Sequence, residues 1–274
     1  MLSLSETTMP VSSAFDEIAE NYDARFTNSP IGLAQRGSAW KEIDRHFRAG
    51  QRILEINCGT GVDALHLARR GVEVVACDSA PGMIEVARQG LSLAGSRASV
   101  DFRILATERI GELIHEGPFD GILSNFAGLN CIQDLAPIAR DLARLVKPRG
   151  KAIMCLFGRF CLWETVWHLT RCDFPKATRR FDRRGSTVTL SPHSGVKVWY
   201  PTVRQIKKMF SPHFHLKSRK GVGVAVPPSY LGSLADGHPR LFRIASQLDP
   251  WLGRCLVLRA VADHMLLTFE RNGP

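Results

Sequence analysis

The run Ile53-Leu54-Glu55-Ile56-Asn57-Cys58-Gly59-Thr60-Gly61 carries a short apolar strand straight into a glycine-built turn. Glycines there leave the backbone without the Cβ that would hold another molecule away. The helix expected next, Asp63–Arg70, points free N–H groups and the positive end of its dipole at the same place. Asp78 closes the following apolar run, seventeen residues beyond Gly61. An acid at that point can accept both hydrogen bonds of a ribose diol. Glu55, four residues ahead of Gly59, suits a ligand with a cationic amino-acid portion better than a pyrophosphate. Gly59-x-Gly61-x-x-Ala64 nevertheless also satisfies the dinucleotide fingerprint, which keeps a nicotinamide-dependent oxidoreductase as an alternative.

These residues need a scaffold, and the periodicity supplies one. Phe15–Phe26 and Ile31–Phe47 read as helices separated by Asn28-Ser29-Pro30, with Ser13 as the cap of the first and Met1 to Ser13 as a frayed polar start. From Gln51 strands and helices alternate. Strands are expected at 52–56, 72–77, 100–105, 119–124 and 151–157, with helices at 63–70, 81–94 and 132–146. That spacing implies an α/β fold with a parallel sheet. Beyond it a helix is expected at 160–170, an irregular basic stretch at 173–185, and short strands at 187–190 and 196–200. A helix at 202–210, a strand starting at 214–217, a helix at 241–256 and a closing strand at 264–270 follow.

In order and spacing, the motifs resemble those of the class I S-adenosylmethionine-dependent methyltransferases. Glu55-x-Asn57-Cys58-Gly59-Thr60-Gly61 is similar to the family's first motif, and Asp78 matches its ribose-binding acid. Asp78-Ser79 with Met83-Ile84 resembles the opening of its second helix. Phe119 to Asn125 resembles its fourth strand, which ends beside the methyl donor, and Leu142 to Gly150 resembles the turn before its fifth. Phe15-Asp16-x-x-Ala19-x-x-Tyr22-Asp23 is similar to an N-terminal helix that lids the cofactor. The likeness covers residues 13–157 well and the rest weakly. It implies a Rossmann-like, doubly wound, mostly parallel seven-stranded sheet, helices on both faces and a C-terminal antiparallel hairpin carrying insertions. It implies S-adenosylmethionine as cofactor and S-adenosylhomocysteine as product. The expected contacts are Tyr22, Glu55, Asn57, Cys58, Gly59, Gly61, Asp78, Ser79, Met83, Thr107 and Asn125.

Two positions depart from the family pattern. Asn57 stands where the first glycine belongs, and Asn is the side chain that best tolerates left-handed backbone angles. The acid expected after the third strand is missing near Ala106, with Thr107 and Glu108 following, so adenine recognition falls to backbone groups. The chain divides into a helical lid segment at 1–50, a cofactor-binding core at 51–157, an acceptor-side cap at 158–200 and a part completing the sheet at 201–274.

The acceptor side is less defined. A sulfonium donor is already activated, so alignment and exclusion of water do most of the work. Base candidates are Glu164, His168, His193 and Tyr200, with His213 behind them. The helix with Trp163, Trp167 and Leu169 has three readings: a lid over an apolar acceptor, a buried cap on the sheet, or an interfacial helix touching membrane. Residues 1–150 carry 16 basic and 19 acidic side chains, and residues 151–274 carry 20 and 7. The basic half leaves a small anionic or apolar acceptor in view, with RNA as the alternative partner. The seven cysteines form no C-x-x-C pair, and no metal pattern is present. No leader pattern and no apolar run near the ~20 residues of a membrane span is found, so a cytoplasmic location is expected.

Overall fold

The computed structural model describes residues 9–95, 99–192 and 194–273. Three N-terminal helices, α1 (Val11–Asp16), α2 (Ala19–Tyr22) and α3 (Pro30–His46), precede the sheet. The core then runs β1 (Arg52–Ile56), α4 (Val62–Arg69), β2 (Glu73–Asp78), α5 (Pro81–Ala94), β3 (Val100–Ile104), β4 (Phe119–Ser124), α6 (Ala136–Leu145) and β5 (Val146–Phe157). After it come α7 (Leu162–Leu169), α8 (Phe174–Thr178), β6 (Ser186–Thr189), β7 (Gly195–Val198), α9 (Val203–Phe210), β8 (Phe214–Val222), α10 (Gly232–Gly237), α11 (Pro239–Leu252) and β9 (His264–Arg271).

The main sheet has the order β3-β2-β1-β4-β5-β9-β8. Strands β1 to β5 are parallel, and β9 runs antiparallel to both β5 and β8. The expected seven-stranded α/β sheet with its closing antiparallel hairpin is therefore present. The inner strands β1, β2 and β4 are buried on both faces, which is why they read as mostly apolar runs, whereas the edge strand β3 is largely exposed. Leu54 and Ile56 of β1 pack with Met154 of β5, Leu142 of α6 and Phe210 of α9. Ile53 points the other way, into a layer with Ile43 of α3, Phe47 just after it, Leu67 of α4 and Ile84 of α5. Each of these side chains, buried to near zero exposure, contributes about 2 kcal/mol. The strand order reverses between β1 and β4, and the space beyond their carboxyl ends is the usual ligand position in such sheets.

Several local expectations are corrected. The first helix is not continuous: α1 ends at Asp16, α2 at Tyr22, and a π-type turn covers Asp23–Thr27. Its N-cap is Pro10 rather than Ser13, and the described chain is already helical from Val11. Ser29 is the true cap nearby, accepting from Gly32 N–H at 3.0 Å to start α3. A 3-10 turn at Thr107–His115 was not foreseen, because its spacing fits neither helix nor strand period. The stretch expected to be irregular holds α8, capped by Asp173, whose side chain accepts from Lys176 N–H. Among the described residues, strands β6 and β7 pair only with each other.

Candidate functional site

The turn after β1 is held open by its own backbone. Asn57 adopts φ 55°, and its carboxamide spans the site: Nδ2 donates to Thr107 Oγ1 at 2.8 Å, and Oδ1 accepts from Ser124 Oγ at 3.2 Å. Asn57 thus takes the left-handed angles of a glycine and ties the ends of β1 and β4 to the turn after β3. Gly59 (φ 54°) faces open space, and a Cβ built there would meet no atom within 4 Å. Gly61 is different. Its Cβ would lie 2.5 Å from the Phe102 ring and 2.9 Å from Ala87, so this glycine permits α4 to pack on α5 and the sheet.

Asp78 faces Gly59 across the turn. Its Oδ2 accepts from Gly59 N–H at 2.9 Å and its Oδ1 from Ala80 N–H at 3.0 Å. Burial pushes its pKa up, while the N–H donors of Ala80, Gly59 and Ser79 pull it back down. Each carboxylate oxygen keeps a second lone pair for another donor. Glu55 is almost fully buried, and its Oε2 has no partner among the described residues. Burial raises its pKa well above the ordinary carboxylate range, Asp63 and Asp78 push the same way, and Arg36 opposes them. Cys58 is buried, and its thiol is pushed well up by burial, which makes it a poor nucleophile.

Three residues that sequence reasoning missed complete this wall. Arg36 on α3 pairs with Asp63 on α4, and Trp40, one helical turn further on, donates to the other Asp63 oxygen at 2.6 Å. Burial works against the Arg36 charge, but Asp63 outweighs it and raises the pKa. The Arg36 guanidinium lies 4.6 Å from the Phe126 ring centre, and its buried Nε has no partner among the described residues. The i, i+4 spacing of Arg36 and Trp40 was the available signal, but nothing in it named the partner element.

The N-terminal segment closes over the turn. Asp23 accepts from Thr60 Oγ1 at 2.7 Å, and Asp16 accepts from Gly82 N–H at 2.7 Å. Tyr22 stacks in a tilted arrangement 5.1 Å from Phe26, and burial raises its pKa. Met83 lies fully buried beneath Ile18 and Ala19. Asn125 follows β4 with its Nδ2 buried and unpartnered among the described residues. After it Phe126 and Ala127 both hold positive φ angles, 50° and 68°, a backbone strain of the kind found at binding sites.

The wall fits a sulfonium nucleoside amino acid. Glu55 offers an unpaired buried oxygen for an ammonium, Arg36 an unpaired N–H for a carboxylate, Asp78 free lone pairs for a diol, and Gly59 open backbone. A model described as a methyltransferase domain matches residues 53–150. A demethylmenaquinone methyltransferase from Symbiobacterium thermophilum is 30% identical over 222 residues, covering 73% of this chain and 82% of that protein. The chain belongs to the class I S-adenosylmethionine-dependent methyltransferases. Its cofactor is S-adenosylmethionine. The demethylmenaquinone methyltransferase of Streptomyces avermitilis is 32% identical over 164 residues, a match spanning 64% of that relative and 57% of this chain. Among solved structures, the CcbJ methyltransferase from Streptomyces caelestis superposes with a TM-score of 0.65 at 15% identity, covering 97% of this chain and all of that one. A magnesium protoporphyrin IX methyltransferase from Synechocystis with bound SAH gives 0.55 at 13% identity, with coverage of 96% and 95%.

In this methyltransferase the catalytic candidates scatter. Glu164 is buried between Arg179 and Arg180, each bonded to both of its oxygens at 2.8 to 3.1 Å. Burial alone would raise its pKa, but the two guanidiniums hold it at about 2, which leaves a weak proton acceptor. His168 stands 3.8 Å from Asp173 with its pKa lowered by burial, and its ring centre is 6.0 Å from that of Tyr230. Tyr200 is buried 6.2 Å from Phe157, its phenol raised by burial. His213 lies in the turn between α9 and β8, and His193 lies outside the described residues. The histidine beside the carboxyl end of β5 is instead His264, paired in register with Phe157. Its ring stacks on Phe157 at 4.6 Å and meets Phe126 edge-on at 5.4 Å, and burial keeps it neutral. Sequence reading placed it at the start of a strand and gave it no role. No group of three or more His, Cys, Asp or Glu among the described residues could hold a metal ion.

Proposed function

We propose that this chain methylates a small, largely apolar ring compound of the quinol type. The observation that carries this reading is the aromatic wall beside the cradle. Phe126, Phe157, Tyr200 and His264 surround the carboxyl ends of β4 and β5 with rings in mutual contact. Ring faces of this kind suit a flat, apolar partner. The two relatives named above are demethylmenaquinone methyltransferases, which supports a quinol among candidate acceptors. When bound, S-adenosylmethionine supplies an electrophilic methyl carbon on a sulfonium.

The chain's own residues bind and orient. Glu55 would hold the ammonium, Arg36 the carboxylate, and Asp78 the ribose diol. Ser79, Cys58 and Thr107 would line the nucleoside through backbone and hydroxyl groups, with Met83 and Tyr22 beneath the lid and Asn125 directing its free N–H inward. Residues 1–50 serve as the lid, 51–157 as the cofactor core, 158–200 as the acceptor-side cap and 201–274 as the remainder of the sheet. The ring wall keeps water from the methyl carbon, which is worth more than any single base here. Neutral His264 is the group best suited to accept a proton from the acceptor. Seven free thiols fit a reducing, cytoplasmic setting. No helix among the described residues is long and apolar enough to cross a membrane.

The test is transfer of labelled methyl from S-adenosylmethionine to a panel of reduced quinones in detergent, beside a catechol, a carboxylic acid and an RNA pool. Labelled quinol is the expected product. Label on RNA alone, or on the acid alone, would overturn the reading while leaving the cofactor assignment intact.

A further inference from the structure

A cavity of about 290 Å³ opens where the carboxyl end of β5 meets β8, β9 and the start of α9. Arg159, Arg204, Arg219 and Arg259 line it together with Thr202 and His264, and no carboxylate is among its described lining residues. Arg219 and Arg259 are tied to each other's backbone. One head-group nitrogen of Arg219 donates to the Arg259 carbonyl at 3.4 Å, and one of Arg259 donates to the Arg219 carbonyl at 3.2 Å. The Nε of each is buried with no acceptor among the described residues. Burial and then the neighbouring Arg259 lower the Arg219 pKa below its ordinary value.

Carboxylates on the surrounding elements are engaged elsewhere. Asp263 holds Arg180, and Asp249 accepts from the N–H groups of Gly223, Val224, Ala225 and Val226. Glu270 is taken by Lys151, His215 and Lys217. Two half-buried guanidiniums are thus held side by side with no counter-ion and with their Nε–H groups unpartnered among the described residues. An arrangement of that kind is unfavourable unless an anion completes it.

We propose that this cavity binds a phosphate-type dianion, held by paired N–H donors from Arg219 and Arg259, with Arg159 and Arg204 at its mouth. Guanidinium forks match the paired oxygens of phosphate, and one dianion offsets both charges. The phosphate has two possible sources, a free phosphorylated compound or a lipid headgroup. The headgroup has structural support of its own. The outer stripe of α11 exposes Leu241, Ile244, Leu248 and Trp251, and Leu256 and Val257 are exposed just before Arg259. Arg240, Arg243 and Arg254 lie exposed beside them.

The experiment is calorimetric titration of the full chain with inorganic pyrophosphate at low ionic strength, alongside flotation with phosphatidylcholine vesicles with and without phosphatidic acid. Wild type, the pair Arg219→Gln with Arg259→Gln, Arg259→Lys, and Arg45→Gln on α3 are compared. Pyrophosphate binding is expected in wild type and in Arg45→Gln, about tenfold or more weaker in the paired variant. Arg259→Lys, which keeps the charge and loses the fork, is expected to fall between. Phosphatidic-acid-dependent flotation that weakens in the same order assigns the site to a headgroup, and its absence assigns it to a free phosphate. The apo paired variant should melt close to wild type, because relief of the like-charge contact offsets the two lost guanidinium-to-carbonyl bonds. Affinity for S-adenosylhomocysteine should be unchanged. No binding of either probe, or equal binding by the paired variant, overturns the proposal.

Discussion

Glu55 holds a carboxylate at the end of a strand buried on both faces, with one oxygen unpartnered among the described residues. Its pKa is raised, so its contribution to folding is fullest at low pH. That contribution is lost as pH rises from the ordinary carboxylate range through the raised value. Glu55→Gln carries no charge and escapes this loss. The apo variant should therefore melt higher than wild type at pH 8 and by a smaller margin at pH 5, while S-adenosylhomocysteine binds it at least ~10-fold less tightly, the loss of a charge-assisted bond. Thermal melts at the two pH values and a binding titration check this, and a margin that fails to widen with pH would count against it. The two glycines should separate as well. Gly61→Ala meets the Phe102 ring at a positive φ, and about 2 to 4 kcal/mol of stability should go. Gly59→Ala meets open space, so about 1 kcal/mol is expected from its backbone angle alone, with the larger effect on cofactor affinity. Equal melting temperatures for the two variants would contradict that division.

At the scale of elements, the segment that follows β5 hangs on one buried knot. Arg180 joins Glu164 of α7 to Asp263 and to the Gly158 carbonyl at the end of β5. The two guanidiniums depress the Glu164 pKa from its ordinary 4.5 to about 2. Stability from this pair is thus present above about pH 4.5 and is lost as pH falls towards 2. By linkage it amounts to roughly 3 kcal/mol. Glu164→Gln should melt well below wild type at pH 7, with the gap closing as the pH drops towards 2. A gap constant across that range would mean the ion pairs contribute nothing. The inner strands were legible in the sequence because burial on both faces leaves them mostly apolar, and the turn at Asn57 was legible because few side chains accept its angles. The knot was not. Glu164 read as a base because nothing local to α7 announces Arg179 and Arg180, which reach it through the fold. His264 escaped notice for a similar reason: a histidine opening a strand looks like any other until Phe157 is placed against it.

For the whole molecule, the N-terminal helices are fastened across the turn that follows β1. Asp16 and Asp23 fasten the first helices to the N-terminus of α5 and to Thr60 in the turn. Removing both with Asp16→Ala and Asp23→Ala should leave the sheet folded, because the two sheet layers lie elsewhere. Cofactor affinity should fall by at least ~10-fold as closure is lost. A melting temperature that drops while affinity holds would reverse the assignment of lid and core. The open turn at Gly59, with Asp78 across from it, is expected to hold the cofactor. That expectation is tested most directly by calorimetric titration of the full chain with S-adenosylhomocysteine, wild type beside Asp78→Ala. Saturable binding in wild type and a loss of ~10-fold or more in the folded variant, about 1.4 kcal/mol, is the predicted result. Absence of heat in wild type at millimolar ligand, or the same affinity in both proteins, would contradict it.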